Sequence, residues 1–161
     1  MAKRQKLSHV GAGGEARMVD VSEKSATRRR AVADGFVVMA PATVRALKKN
    51  AGPKGDVLSV ARIAGIQAGK RTGEWIPLCH PLPVEQITVD FEVQRDRVRI
   101  IASATVTGKT GVEMEAFTAV AAAGLTIIDM LKAIDSSMEI TAVRLVEKTG
   151  GKKDHRRIER G

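Results

Sequence analysis

At 161 residues the chain is sized for one domain, 1–161, large enough to bury a real core. Hydrophobic residues make up 43% of it, yet no uninterrupted apolar run approaches the roughly 20 residues of a membrane span. The single cysteine excludes an internal disulfide, and Met1-Ala2-Lys3-Arg4-Gln5-Lys6 has no apolar stretch behind it as a secretory signal would, so the chain reads as cytoplasmic.

The formal charge of +9 asks for an anionic partner. It is concentrated in Arg28-Arg29-Arg30, in the N-terminal tail, and from Lys148 to Arg160. Residues 1–6 and 153–161 read as flexible, solvated tails. A basic RNA-binding or assembly protein is one reading. Against nucleic acid stand three Phe, one Trp and no Tyr, too few rings for a base-stacking surface. A small polyphosphate substrate accounts for the charge equally well.

In chain order, Leu7 to Glu23 reads as partly irregular, with a loop at Gly11-Ala12-Gly13-Gly14. A strand is expected within 29–40, around Phe36-Val37-Val38-Met39, stopped by Pro41. Residues 42–49 follow as a short helix with lysines at its C-terminal end. Gly52-Pro53-Lys54-Gly55-Asp56 is a turn, and Asp56 is placed to N-cap a helix from Val57 to about Lys70. That helix is apolar over most of its surface, which predicts burial between the sheet and another chain.

Ile76-Pro77-Leu78-Cys79-His80-Pro81-Leu82-Pro83 is expected to be extended and rigid. Its neighbours Cys79 and His80 then point to opposite sides and cannot pair as nucleophile and base. No ordered set of metal ligands accompanies them. Strict alternation over residues 84–93 and again over 98–106 predicts an antiparallel hairpin with one buried face. Gly108-Lys109-Thr110 resembles the end of a phosphate-binding loop, but that motif needs a glycine where Ser103 stands.

Residues 108–135 give the central helix, opened by Thr110 or Gly111. Phe117, Val120, Ala121, Gly124, Ile128 and Leu131 form its apolar stripe, with Glu113 and Glu115 at the positive end of the dipole. Asp129 and Lys132 sit among apolar residues, and on spacing alone an ordinary helical ion pair accounts for them. Glu115 and Asp129 would lie about 21 Å apart along one axis at 1.5 Å per residue. Either an extended substrate spans part of that length, or a site straddling a dimer interface takes one residue from each chain. The second explanation is preferred. A last strand covers residues 140–146. The order strand, helices, strand, strand, helix, strand is α+β, the split βαβ arrangement of ferredoxin-like folds with an antiparallel sheet packed on helices.

Six segments together resemble one family: Lys54-Gly55-Asp56, Lys70-Arg71-Thr72, Ile76 to Leu82, Gly111-Val112-Glu113-Met114-Glu115-Ala116, Asp129-Met130 with Lys132-Ala133, and Glu147-Lys148 with Gly150-Gly151-Lys152. They look like the cyclic pyranopterin monophosphate synthases of molybdenum cofactor biosynthesis, from about Leu7 to Lys152. The resemblance implies a lyase that converts 3′,8-cyclo-7,8-dihydro-GTP to cyclic pyranopterin monophosphate and pyrophosphate. It also implies a hexamer assembled as a trimer of dimers. Carried over, it makes Asp129 the central acid/base and Lys132 its partner. Leu78, Cys79, His80, Met114 and Glu115 would contact the substrate, with Lys54, Glu113, Arg29 and Lys148 around them. No cofactor or metal is expected, and a Mg²⁺ requirement is not derivable from the sequence. Gly73, Trp75, Ile128, Leu131 and the basic run from Lys153 depart from the family pattern, none of them at an expected catalytic position.

Overall fold

The elements of the computed structural model are, in chain order, β1 (Thr27–Val38), α1 (Pro41–Lys48), α2 (Val57–Lys70), α3 (Thr72–Trp75), β2 (Gln86–Val93), β3 (Arg97–Gly108), α4 (Glu113–Leu131), β4 (Glu139–Thr149) and β5 (His155–Arg156). The structure describes residues 13–49 and 54–157. The N-terminal tail with Leu7 to Ala12, the Gly52-Pro53 part of the turn, and residues 158–161 lie outside it.

The strands form one antiparallel sheet in the order β2-β3-β1-β4-β5, and its first four strands carry the expected ferredoxin-like topology. The predicted hairpin is β2 and β3, in register from Gln86 opposite Thr105 to Val93 opposite Val98. Its alternation sets the faces: Val98, Ile100, Ala102, Ala104 and Val106 are all buried. Opposite them pack α4 and, beside it, α2, so that Ile100 and Ile140 reach Gly124 and Val120 reaches Gly35. On the sheet's other face the fully buried Asp34 carboxylate accepts from Arg99, at 2.6 and 2.9 Å, and from Arg144 at 2.9 Å. A buried carboxylate needs such partners, and this one ties β1 to both its neighbours.

Asp56 is the N-cap of α2, accepting from the Ser59 amide at 3.1 Å, as its place in the turn predicts. The two long helices approach unusually closely. A Cβ on Gly65 would lie 2.8 Å from the Ala119 carbonyl oxygen, so only glycine allows this backbone contact. With Gly69 against Glu115 and Gly65 against Ala119 and Ala123, α2 runs antiparallel to α4. Asp135, just past α4, accepts from the Ala40 amide and the Thr43 hydroxyl and so clamps the start of α1.

Three expectations shift. The buried face of α4 centres on Ala116, Ala119, Val120, Ala123, Ile127 and Leu131, leaving Phe117, Ala121 and Ile128 half-buried. A helix apolar almost all round does not fix its own azimuth. Its N-cap is Val112, which offers no side-chain cap, not Thr110 or Gly111. The C-terminal segment expected as a free tail begins as β5, paired with Glu147 and Lys148. By length and composition α4 is the one described helix apolar enough to cross a membrane, but most of its residues are buried in the core.

Candidate active site

At the N-terminal end of α4 opens a cavity of about 620 Å³. It gathers Leu78, Cys79 and His80 from the proline-rich segment, Glu113, Met114 and Glu115 from α4, and Lys148 from β4. Those are seven of the expected site residues, drawn from three separate parts of the chain. The segment is not extended throughout: the Cys79 amide donates to the Ile76 carbonyl at 3.0 Å, closing a turn. The turn corrects the expectation of an extended backbone through Cys79, and Cys79 and His80 both line the same cavity.

Within it, Glu113 and Lys148 form an ion pair at 3.0 Å, both partly exposed. Glu115 is only 3% exposed. Burial pushes its carboxyl up to about 7, with the neighbouring Glu113 charge adding to the rise and its own backbone N–H opposing it. Desolvation therefore outweighs the favourable end of the helix dipole that the sequence alone emphasises. Burial, and then the charge of Glu115, raise the Cys79 thiol, so Cys79 is held as a neutral thiol and not as a nucleophilic thiolate.

Val19, Val21 and Lys24 also line this cavity, from the segment before β1 that the sequence showed only as irregular. Lys109 fastens that segment by donating to the Ser22 carbonyl at 2.8 Å. The basic pattern was visible in the sequence, but nothing in it placed Lys24 beside the helix start. Arg29 lies just beyond, donating through Nε to the Gly108 carbonyl at 3.0 Å and lining a smaller adjoining cavity.

Lys54, Asp129 and Lys132 form a second cluster at the other end of α4, lining neither cavity. Asp129 is bonded to Lys54 at 2.6 Å and to Lys132 at 2.7 Å. Lys54 comes from the turn before α2, and the antiparallel packing of α2 on α4 delivers it there. The arrangement is therefore more than a local helical pair. Lys132 and Lys54 together lower the Asp129 carboxyl to about 2, leaving it ionised and a weak base while its lysines are in place. All three side chains are roughly half exposed. Among the described residues no three of His, Cys, Asp and Glu converge as a metal site would require.

The chain is similar to known proteins over most of its length. The model of the MoaC family matches residues 18–151. A protein of Novosphingobium aromaticivorans named cyclic pyranopterin monophosphate synthase is 55% identical over 146 residues, covering 91% of this chain and 93% of that protein. One of the same name from Rhodospirillum rubrum is 55% identical, covering 91% and 89%. Cyclic pyranopterin monophosphate synthase 1 of Mycobacterium tuberculosis H37Rv is 54% identical, covering 91% and 86%. The matched span holds both helix-end clusters, and by that match and these identities this chain belongs to the MoaC family.

Proposed function

We propose that this chain is a lyase of molybdenum cofactor biosynthesis, converting 3′,8-cyclo-7,8-dihydro-GTP to cyclic pyranopterin monophosphate and pyrophosphate. The observation that carries the reading is the cavity at the start of α4. It sets a carboxyl acid near neutrality beside an imidazole, with Lys24, Lys148 and Lys152 around them. The final ring closure needs both kinds of group. A ring hydroxyl attacks the α-phosphorus, a new P–O bond forms, and the bond to the β-phosphate breaks with its electron pair leaving on pyrophosphate. The hydroxyl proton passes to a base. Glu115 is suited to proton transfers in the ring rearrangement, because a group titrating near the working pH can both give and take a proton, and the His80 imidazole lines the same cavity. The lysines stabilise charge growing on the leaving phosphates. Asp129, ionised between Lys54 and Lys132, holds two ammonium groups at fixed positions and returns to proton transfer when a substrate phosphate draws the lysines away.

Of the two ways to join the clusters in one site, an extended substrate or a site shared by two chains, we favour the second. Residues 115 and 129 lie about 21 Å apart along α4. We therefore place each active site across a dimer interface, with Glu113 and Glu115 from one chain and Asp129 and Lys132 from its partner. Leu125, one helical turn from Asp129, is 55% exposed, and Val60 and Ile63 on α2 are also exposed, an apolar surface suited to such a partner. Further assembly into a hexamer, and a cytoplasmic location in keeping with the single cysteine, complete the reading. Incubation with the cyclised GTP intermediate and assay of released pyrophosphate tests it. Absence of turnover, with RNA bound at physiological salt, would replace it with the basic RNA-binding alternative.

A further inference from the structure

The Gly108-Lys109-Thr110 stretch, which follows a serine at 103 where a phosphate-binding loop needs glycine, joins β3 to α4. Thr110 and Gly111 line the main cavity, but Lys109 beside them lines neither cavity. Its ammonium turns instead to the segment before β1 and donates to the Ser22 carbonyl at 2.8 Å. The root of that lysine is firm. Gly108 stands opposite Thr27 in the β1–β3 register, and its carbonyl accepts from Arg29 Nε at 3.0 Å.

The segment that Lys109 holds is a cavity wall with little of its own to keep it there. Val19, Val21 and Lys24 are half-buried and line the cavity, while Asp20, Ser22, Glu23 and Ser25 are exposed. Local bonds set its shape. Asp20 Oδ1 accepts from the Ser22 amide at 2.9 Å and from the Ser22 hydroxyl at 2.7 Å. The Lys24 amide donates to the Val21 carbonyl at 3.1 Å. All of these lie within the segment, so they fix its curl but not where it sits. Among the described residues, the Lys109 bond is the one side-chain hydrogen bond that joins residues 19–26 to the rest of the domain. A stretch with few buried apolar contacts opens locally at small cost, so one charge-assisted bond shifts that equilibrium appreciably.

We infer that Lys109 is a positioning residue for substrate binding: through the Ser22 carbonyl it holds Val19, Val21 and Lys24 in place as one wall of the main cavity before the substrate arrives. A lysine flanked by cavity-lining residues invites assignment to a substrate phosphate. Its geometry argues otherwise, because the ammonium is spent on a backbone acceptor and lines no cavity. A wall ordered in advance lowers the ordering cost of binding and leaves the bond-making step alone, so the effect belongs in KM and not in kcat. The inference rests on the proposed reaction for its substrate, but the placement of the segment can be read without turnover.

The test joins hydrogen exchange followed by mass spectrometry to steady-state kinetics, on the full-length protein and its Lys109→Met, Lys109→Arg and Lys49→Met variants. Lys49→Met removes the same charge at the end of α1 and serves as control. Assembly mass and circular dichroism check that all four are folded alike. In Lys109→Met the amides of residues 19–26 should exchange faster in the ligand-free protein. KM should rise about tenfold with kcat near wild type, the scale of one charge-assisted hydrogen bond. Lys109→Arg, which keeps a charged donor, should recover most of both, and Lys49→Met should change neither.

A raised KM without faster exchange would mean that Lys109 touches the substrate itself. Faster exchange with an unchanged KM would mean that the segment takes no part in binding. Either result overturns the inference, as does an equal effect in Lys49→Met or no change at all. If the wild type turns nothing over, the proposed reaction fails and GTP, the uncyclised parent of the substrate, becomes the titrant. Weaker GTP binding with faster exchange in Lys109→Met then keeps the positioning role, and equal or absent binding sinks it as well.

Discussion

Glu115 and Asp129 lie fourteen residues apart on the same helix and are held at opposite extremes of acidity. Burial lifts the first to about 7, while two lysines pull the second down to about 2. One helix therefore presents a proton-exchanging group at its start and a fixed charge at its end.

Glu115→Gln is expected to lower turnover by roughly 10²-fold or more, since it removes a proton-transfer group at nearly constant shape. It should also change the pH dependence of stability, with a definite sign. The carboxyl is raised from 4.5 to about 7 in the folded protein, so the native state holds the proton more tightly than the unfolded chain. Its stabilising share is complete below pH 4.5 and is lost as pH rises through about 7. Denaturant titrations should show the variant gaining on the wild type between pH 5 and pH 8, by about 3 kcal/mol at most. Parallel curves at both pH values would show that Glu115 is not desolvated.

Asp129→Asn and Lys132→Ala should each cost roughly 10²-fold or more in turnover. Their thermal midpoints should stay near wild type, because exposed ion pairs contribute little to folding. Wild-type rates in both variants would reduce the cluster to surface salt bridges.

Mixing Glu115→Gln with Asp129→Asn tests the shared site. Under conditions where subunits exchange, some mixed dimers would carry one intact pocket, and activity should return to a fraction of wild type. Exchange confirmed by mass without recovered activity would place both residues' work within one chain.

Asp135→Ala should destabilise the fold by about 1–3 kcal/mol, because it leaves the Ala40 amide and the buried Thr43 hydroxyl without their acceptor. Hydrogen bonds from Ser137, Ala40 and Thr43 hold this carboxyl well below the usual carboxylate range. Its stabilisation is therefore present above pH 4 and fades as acid is added. Acid unfolding followed by circular dichroism should show the variant less sensitive to pH in that range.

Truncation after Gly151 removes Asp154 and β5 together with Lys152 and Lys153. The expected outcome is a several-fold rise in KM with a smaller change in kcat, since charge beyond the cavity is screened within about 8–10 Å. An unchanged KM would return the segment to the solvated tail that composition alone indicates.

The sequence made some of this legible and hid the rest for physical reasons. The hairpin followed from strict alternation, because a strand has a period of two and one buried face. Asp56 as a cap followed from local chemistry that no distant residue can override. The azimuth of α4 did not, since an almost uniformly apolar helix carries no angular information. Lys54 was expected near the site, but its bond to Asp129 depends on two helices lying antiparallel, a relation absent from either segment. Cys79 and His80 share a cavity because of one turn hydrogen bond that the prolines around it disguise.

The contact of Gly65 with the Ala119 carbonyl also constrains how the protein can change. With α2 seated directly on the backbone of α4, the spacing between its two functional ends comes only in whole residues, each worth about 1.5 Å and 100° of rotation. A single inserted residue between 119 and 129 would swing Asp129 away from Lys54 while moving it scarcely at all along the axis. Between these residues α4 can therefore be edited in composition but not in count.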